Sequence, residues 1–176
     1  MIVLIGFMGA GKSTIGQELA TRLGRRFVDA DDVIERSVGL PIADIFRGWG
    51  EEGFREIEAR VVREQLAGAD AVLALGGGAV TTAAVREALA GHDVVLLDIS
   101  LADALGRVGG DAARPMLARP DLAEIFAERA VHYDRLASVR VPVAGRSVTE
   151  VVEAVVAALE GDGAPVLDRD SPDAGE

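Results

Sequence analysis

A glycine-rich loop between a predicted strand and a predicted helix is the feature that most constrains the fold. Residues 6–13 have the sequence Gly-Phe-Met-Gly-Ala-Gly-Lys-Ser. The apolar run at 1–5 predicts a buried parallel strand, and the spacing of Ile15, Leu19 and Leu23 predicts a helix. In this order, glycines let backbone N–H groups turn toward phosphate oxygens at the N-terminus of the helix. This phosphate loop therefore predicts a nucleotide site.

Lys12, within the phosphate loop, is the only lysine among eighteen basic residues, and the others are arginines. A chain that uses arginine almost everywhere else needs a compact ammonium here, which an arginine fork does not replace. We expect this ammonium to be catalytic and to reach the β- and γ-phosphates. The residues expected to contact the phosphates are Gly9, Ala10, Gly11, Lys12, Ser13 and Thr14. An incidental glycine-rich turn is the alternative, and the flanking strand and helix disfavour it.

Strand-like and helix-like stretches alternate along the chain, which has 176 residues and 49% hydrophobic content. Short apolar runs predict five strands, at 1–5, 25–29, 71–75, 94–99 and 139–143. Alternation of this kind predicts one α/β domain over 1–160, with a five-stranded parallel sheet flanked by helices. The ligands of such a sheet lie at the carboxyl ends of the strands.

Composition excludes several classes of function. Without cysteine there is no thiolate catalysis or cysteine metal site, and two histidines are too few for a histidine metal cluster. The formal net charge of −11 disfavours nucleic acid as a partner. No apolar run is long enough to span a bilayer. We expect a soluble, cytoplasmic protein that is monomeric and has no membrane or nucleic-acid partner.

Two aspartates follow the second predicted strand. In an extended segment residues two apart point the same way, so Asp29 and Asp31 could both face the γ-phosphate region. One carboxylate could help to hold Mg²⁺, and the other could orient or deprotonate a substrate hydroxyl. The alternative is that an aspartate here caps the next helix, for which Asp32 is a candidate.

A glycine triplet at 76–78 follows the third predicted strand. Three consecutive glycines at this place predict close backbone approach to a ligand. Arg55, by contrast, could pair with Glu51, Glu52 or Glu58 at helical spacing, and such pairs are usually exposed and weak. From spacing alone, Arg55 is a surface residue.

Two segments lack apolar periodicity. Residues 109–120 hold two glycines and two prolines, a composition that predicts a mobile lid. Residues 161–176 are rich in Asp, Gly and Pro and predict a disordered acidic tail.

Several of these motifs in order resemble the shikimate kinase family. The motifs are Gly6 to Ser13, Phe27-Val28-Asp29-Ala30-Asp31, Ile42-Ala43-Asp44-Ile45-Phe46, Phe54-Arg55-Glu56-Ile57-Glu58, Gly76-Gly77-Gly78-Ala79-Val80 and Arg114-Pro115-Met116-Leu117. The resemblance implies a P-loop kinase fold of the nucleoside-monophosphate-kinase type, with a substrate-binding region at about 31–60. It also implies transfer of the γ-phosphoryl group of ATP to the 3-hydroxyl of shikimate, a step toward chorismate and the aromatic amino acids.

On the substrate side, the resemblance makes Asp31 the contact and base for the substrate hydroxyl. Arg55 and Arg129 become the two halves of a carboxylate clamp, whose fork geometry suits a planar carboxylate. Gly77 provides a backbone N–H to the substrate, and Glu58 positions Arg55.

On the ATP side, the resemblance places Mg²⁺ at Ser13 and Asp29. Arg114 in the lid closes over the phosphates as a catalytic arginine. Arg107 and Arg146 border the adenine.

Two alternatives share part of this pattern. A P-loop kinase of another small polyol, such as gluconate, would keep Lys12, Ser13 and the aspartates without needing the carboxylate clamp. A nucleotide-dependent binding module without kinase activity would tolerate the loss of Asp31.

Overall fold

A five-stranded parallel sheet forms the centre of the computed structural model, which describes residues 1–108 and 120–161. Helices flank the sheet, and its strand order is β2-β3-β1-β4-β5. The described elements are β1 (Ile2–Ile5), α1 (Lys12–Leu23), β2 (Arg26–Asp29), α2 (Ala30–Val38), α3 (Ile42–Leu66), β3 (Ala71–Ala74), a 3₁₀ turn (Ala79–Thr81), α4 (Ala83–Ala88), β4 (Asp93–Asp98), α5 (Leu101–Val108), α6 (Leu122–Leu136), β5 (Val139–Pro142) and α7 (Val148–Leu159). The predicted fold class is confirmed.

The central strands have the sequence character that parallel sheets require. Every residue of β1 and of β3 is buried, as expected for strands covered on both faces. In the register, Leu4 of β1 lies opposite Ala74 of β3 on one side and Val95 of β4 on the other. Asp29, at the end of β2, is likewise opposite Ala74. The carboxyl ends of β1, β2 and β3 therefore meet at one edge of the sheet.

The range given for α3 contains two helices that meet at a kink at Gly50, and the sequence predicts two helices here, at 41–46 and 51–67. Gly50 has φ 71° and ψ −175° inside Ile42–Leu66. A residue with a side chain rarely adopts this conformation, so glycine permits the abrupt change of direction. The two predicted helices exist, but no loop separates them.

The region from α2 to α3 has a small hydrophobic core of its own. Its fully buried members are Ile34, Ile45, Phe54 and Val61. Phe54 stacks on Phe46 with 4.3 Å between ring centroids. This packing gives the two helices a fixed position beside the ends of β2 and β3.

Gly16 allows α1 to pack closely on the sheet. A Cβ atom there would lie 2.4 Å from Cε2 of Phe27 and 3.1 Å from Cδ1 of Leu4. We expect Gly16→Ala to lower the free energy of unfolding by about 1–3 kcal/mol through overpacking, as measured by urea denaturation. Gly106→Ala on α5 is the control, because its Cβ would meet no described atom within 4 Å; it should stabilise by about 0.5–1 kcal/mol. Effects of the same sign would contradict the packing argument.

Two predicted segments lie largely outside the described residues. Only residue 120 of the predicted lid and residue 161 of the predicted tail are described. The division of the chain into a domain at 1–160, a lid and a tail stays a prediction. Of the helices that are described, none has the length and apolar character needed to cross a membrane.

Candidate active site

The phosphate loop joins β1 to α1 and turns at glycines. Gly9 and Gly11 have φ values of 77° and 86°, which favour glycine over residues with side chains. Gly11 is the N-cap of α1, and as a glycine it has no side chain with which to cap the helix. The first backbone N–H groups of α1 are thus left to a ligand, and the positive end of the helix favours an anion.

Lys12 lies folded against the phosphate loop. Its Nζ donates to the backbone carbonyl oxygens of Gly6 at 2.8 Å and Phe7 at 3.2 Å. The predicted phosphate-contacting residues other than Ala10 line the cavity beside the loop, whereas the side chain of Ala10 is buried beneath it. The ammonium is therefore held at the mouth of the loop by short contacts that suit a compact group.

Ser13 and Asp29 meet although sixteen residues separate them. The Ser13 hydroxyl donates to Oδ2 of Asp29 at 2.6 Å. A hydroxyl and a carboxylate are hard oxygen donors of the kind that Mg²⁺ prefers, and Mg²⁺ usually combines one or two carboxylates with substrate phosphates. The described residues contain no group of three or more His, Cys, Asp or Glu that could hold a metal. The donor set present fits a magnesium ion that is shared with a nucleotide.

Asp29 also caps α2. Its Oδ1 accepts from the backbone N–H of Asp31 at 3.0 Å, and Asp29 occupies the N-cap position. The expectation that Asp32 caps this helix is wrong, because Asp32 already lies within its first turn. Asp31 is also helical, so the two candidate carboxylates do not share one extended segment. Both nevertheless line the same cavity.

Asp31 has the electrostatic character of a proton acceptor near neutral pH. Burial raises the pKa of Asp31 to about 6, and the carboxylate of Asp29 adds to the increase. Lys12 and Arg55 oppose this change with positive charge. A carboxyl group of this kind is ionised at pH 7.5 and binds a proton far more readily than an exposed aspartate does.

Arg55 is not the surface residue that its spacing suggested. Its side chain is only 16% exposed, and Nη1 donates to Oε2 of Glu58 at 2.6 Å. Glu58 is 1% exposed, and burial raises the pKa of this carboxyl to about 6 even though Arg55 opposes the change. A weaker contact of 3.4 Å joins Arg55 to Glu51. The acid pairing is thus real, but it is buried and holds the guanidinium beside Gly78 of the glycine triplet.

The glycine triplet leaves room for charged side chains of α2 and α3. A Cβ atom on Gly76 would lie 2.9 Å from Oδ1 of Asp31 and 3.1 Å from Oε1 of Glu58. A Cβ atom on Gly78 would lie 2.2 Å from Nη2 of Arg55. The sequence indicated close approach to a ligand; the structure shows close approach to three candidate site side chains.

Arg129, which belongs to α6, also lies beside the glycine triplet. It is 9% exposed, and its guanidinium lies 5.8 Å from the ring centroid of Phe7. A Cβ atom on Gly77 would be 3.8 Å from Nη1 of Arg129. Burial lowers the pKa of Arg129, and the nearby charge of Arg55 lowers it further. The two arginines predicted to form the carboxylate clamp therefore both lie beside the glycine triplet.

Sequence reasoning missed Tyr133, which is the other buried polar side chain of α6 at this site. Its hydroxyl donates to the carbonyl oxygen of Gly77 at 2.6 Å. The only available signal was its spacing of four residues from Arg129, which places both on one face of a helix.

The opposite end of the phosphate loop faces a groove of about 230 Å³ that runs along α7. Arg107 donates from Nη2 to the carbonyl oxygen of Val143 at 2.7 Å and from Nη1 to that of Gly9 at 3.3 Å. Arg146, which is exposed, also lines the groove. Arg107 and Arg146 are thus brought together, whereas Arg114 lies outside the described residues.

The larger cavity connects the two halves of the site. Its volume is about 410 Å³, and its lining includes Gly9, Gly11, Lys12, Ser13, Asp29, Asp31, Gly76, Gly77 and Arg107. A phosphate loop, a serine–aspartate pair and a partly buried carboxyl therefore face one space, and the glycine triplet at its edge contacts Arg55 and Arg129. The fold and the site define a P-loop kinase that phosphorylates an alcohol group of a small molecule.

The chain belongs to the shikimate kinase family. The family model described as shikimate kinase matches residues 8–160. A shikimate kinase of Mycobacterium avium is 52% identical over 161 residues, which are 89% of this chain and 92% of the relative. One of Mycobacterium tuberculosis is 50% identical over 162 residues, covering 90% of this chain and 92% of the relative.

Solved structures agree with this assignment. Shikimate kinase from Acinetobacter baumannii in complex with shikimate has a TM-score of 0.86 at 35% identity and covers 92% of this chain and 93% of its own. The Aquifex aeolicus enzyme has a TM-score of 0.82 at 33% identity, with 92% and 96% covered. A gluconokinase from Sinorhizobium meliloti has a TM-score of 0.57 at 22% identity, with 91% of each chain covered, so it shares the fold alone.

Proposed function

We propose that the cavity binds ATP and shikimate and transfers the γ-phosphoryl group of ATP to the 3-hydroxyl of shikimate. The products are ADP and shikimate 3-phosphate. The observation that carries this proposal is the grouping of Arg55, Arg129 and Asp31 around the glycine triplet, next to the phosphate loop. This grouping offers cations for a carboxylate and a proton acceptor for a hydroxyl at one end of a phosphate site. Gluconate kinase chemistry would not need the paired arginines.

The carboxylate clamp would take the carboxylate of shikimate. Nε of Arg55 and Nε of Arg129 are buried without a hydrogen-bond partner among the described residues. Burial lowers the pKa of Arg129 most, and the positive charge of Arg55 lowers it further, so the two guanidinium groups repel each other. A bound carboxylate would supply acceptors and remove the repulsion, and bidentate pairing would fix its orientation. Glu58 would hold Arg55 from behind.

Asp31 would act on the substrate hydroxyl. Its carboxylate accepts the proton of the 3-hydroxyl as that oxygen bonds to the γ-phosphorus. The bond from the γ-phosphorus to the oxygen bridging it to the β-phosphate breaks, and ADP leaves. The raised pKa of Asp31, about 6, suits a base that must receive a proton near neutral pH. Gly77 would contribute a backbone N–H to the substrate.

The phosphate loop would hold ATP. Backbone N–H groups from Gly9 to Thr14 would surround the phosphates, and Lys12 would turn from its loop carbonyls to the β- and γ-phosphates. Ser13 and Asp29 would hold Mg²⁺, which supplies neutralisation of phosphate charge when it is bound. Arg107 and Arg146 would border the adenine, and Arg114 would approach the phosphates.

One assay tests the proposal. ADP formation is measured with ATP and Mg²⁺ in the presence of shikimate, gluconate, a nucleoside monophosphate or water alone. We expect rapid ADP release with shikimate only. Equal release with gluconate would support the other polyol kinase, and release that no acceptor stimulates would support a binding module.

Arg55→Lys is expected to weaken shikimate binding about 10- to 100-fold, because lysine keeps the charge but loses the fork. Lysine is used instead of alanine since Glu58, which is 1% exposed, would otherwise be buried without its cation. Isothermal calorimetry with shikimate is the measurement, and ATP affinity should be unchanged. Arg60→Lys is the matched control on the same helix, where the arginine is 52% exposed. Unaltered shikimate affinity in Arg55→Lys would remove Arg55 from the carboxylate clamp.

The protein is further proposed to act as a monomer in the cytoplasm, without nucleic-acid or membrane partners. A net charge of −11 does not suit a phosphate backbone.

A further inference from the structure

The single tyrosine of the chain makes a buried hydrogen bond at the substrate end of the cavity. Tyr133 is 4% exposed, and its hydroxyl donates to the carbonyl oxygen of Gly77 at 2.6 Å. The two residues are 56 positions apart, so the contact ties α6 directly to the glycine triplet. A single neutral hydrogen bond of this kind is worth about 1 kcal/mol, and more when its loss leaves a buried carbonyl oxygen unsatisfied.

Tyr133 stands one helical turn beyond Arg129, on the same face of α6. Nearer the N-terminus of this helix, Phe126 packs edge-on against Phe7 of the phosphate loop, with ring centroids 4.9 Å apart. Gly77 in turn lies close to the loop, since its Cβ position is 3.6 Å from the backbone nitrogen of Met8. Helix α6 therefore contacts the phosphate loop through an aromatic pair and contacts the glycine triplet through the Tyr133 hydroxyl.

The Tyr133 phenol stays a hydrogen-bond donor throughout the physiological pH range. Burial raises the pKa of this phenol above its ordinary value, although the positive charges of Arg129 and Arg55 oppose the change. The hydroxyl is the only atom that distinguishes Tyr133 from phenylalanine at this position.

We infer that Tyr133 is a positioning residue for the acceptor substrate: its hydroxyl fixes the Gly77 peptide relative to Arg129, so that both can bind one shikimate molecule. This inference rests on the proposed roles of Gly77 and Arg129. The physical reason is that Arg129 and Tyr133 belong to one rigid helix, whereas Gly77 belongs to a turn without side chains. Removing the hydroxyl removes the hydrogen bond that joins the carbonyl oxygen of Gly77 to α6.

The test is Tyr133→Phe, studied by calorimetry and steady-state kinetics. We expect the dissociation constant and KM for shikimate to rise about three- to tenfold, with the KM for ATP unchanged and kcat altered less than twofold. A purely structural role would affect both substrates alike. Unchanged shikimate affinity, or equal losses for shikimate and ATP, would overturn the inference.

Ser138→Ala is the matched control. The Ser138 hydroxyl follows α6, donates to the carbonyl oxygen of Val94 at 3.1 Å and accepts from the backbone N–H of Val94 at 3.1 Å, so its removal costs hydrogen bonds away from the cavity. It should lower thermal stability without changing KM for shikimate. If the unmodified protein fails to bind shikimate at all, the proposed function fails instead, which separates the two hypotheses.

A second measurement avoids any loss of folding in Tyr133→Phe. Because the chain has one tyrosine, growth on 3-fluorotyrosine labels position 133 alone. The fluorine resonance should shift on addition of shikimate and return when shikimate is removed by dialysis. A resonance that is unmoved at saturating shikimate would contradict the inference.

Discussion

Lys12→Arg should reduce kcat about 10²- to 10³-fold, the usual loss when one group that stabilises transition-state charge is removed. The positive charge is preserved, so the loss would come from shape. Nζ of Lys12 fits between two adjacent carbonyl oxygens of the phosphate loop, at 2.8 and 3.2 Å. The planar guanidinium of arginine has a different shape and a different side chain. It cannot lie between those two carbonyl oxygens and also reach the phosphates as the ammonium does.

The measurement for Lys12→Arg is turnover at saturating ATP and shikimate, with the shikimate dissociation constant measured in parallel. Shikimate binding without nucleotide should be nearly unchanged. Arg22→Lys is the control, since it exchanges the same two residue types on α1 at a position that is 51% exposed. Near-normal turnover in Lys12→Arg would refute the compact-ammonium argument.

Asp31→Asn should reduce kcat about 10²- to 10⁴-fold, because an amide cannot accept the proton of the substrate hydroxyl. In the unmodified protein, activity should fall as the pH drops through about 6, where Asp31 becomes protonated. Asp32→Asn is the control, because the neighbouring carboxyl of Asp32 is exposed. This substitution should leave kcat unchanged. A pH profile that is flat from 5 to 8 would contradict a base of this pKa.

The same substitution should increase stability. A carboxyl whose pKa is raised on folding, here from 3.8 to about 6, holds its proton more tightly in the folded state. The free energy of unfolding therefore falls as the pH rises from about 4 to 6, and the full penalty is present above pH 6. Asp31→Asn removes that penalty, so we expect a gain of about 1–3 kcal/mol at pH 8. The gain should vanish near pH 4, and denaturation at both pH values checks it.

Sequence patterns predicted the parts of this protein in which neighbouring residues carry the chemistry. The phosphate loop is one continuous segment, and its glycines, lysine and serine need only a strand before and a helix after. The five strands were likewise apparent from the sequence. Strands β1 and β3 are buried on both faces, and parallel strands of this kind consist of consecutive apolar residues.

The end of the site that would bind the acceptor substrate depends on burial and on contacts that the spacing of residues in the sequence does not reveal. Arg55 has acids three and four residues away on α3, and the same spacing occurs on any solvated helix, so burial alone distinguishes the pair with Glu58. The family resemblance supplied its role; local chemistry did not. The bond from Tyr133 to Gly77 spans 56 residues and has no local signal. The cap at Asp29 was missed because the end of β2 and the start of α2 adjoin without a loop.

Because Gly76 and Gly78 have no side chains, they couple Asp31, Glu58 and Arg55 into one steric unit. A side chain on Gly76 would displace both Asp31 and Glu58, and one on Gly78 would displace Arg55; moving one of these charges changes the electrostatic environment of the others. Substitutions here should be strongly epistatic, so that combined variants cannot be deduced from single ones. A change of acceptor specificity in this protein would therefore require concerted replacements across three segments of the chain, and stepwise variation would pass through inactive intermediates.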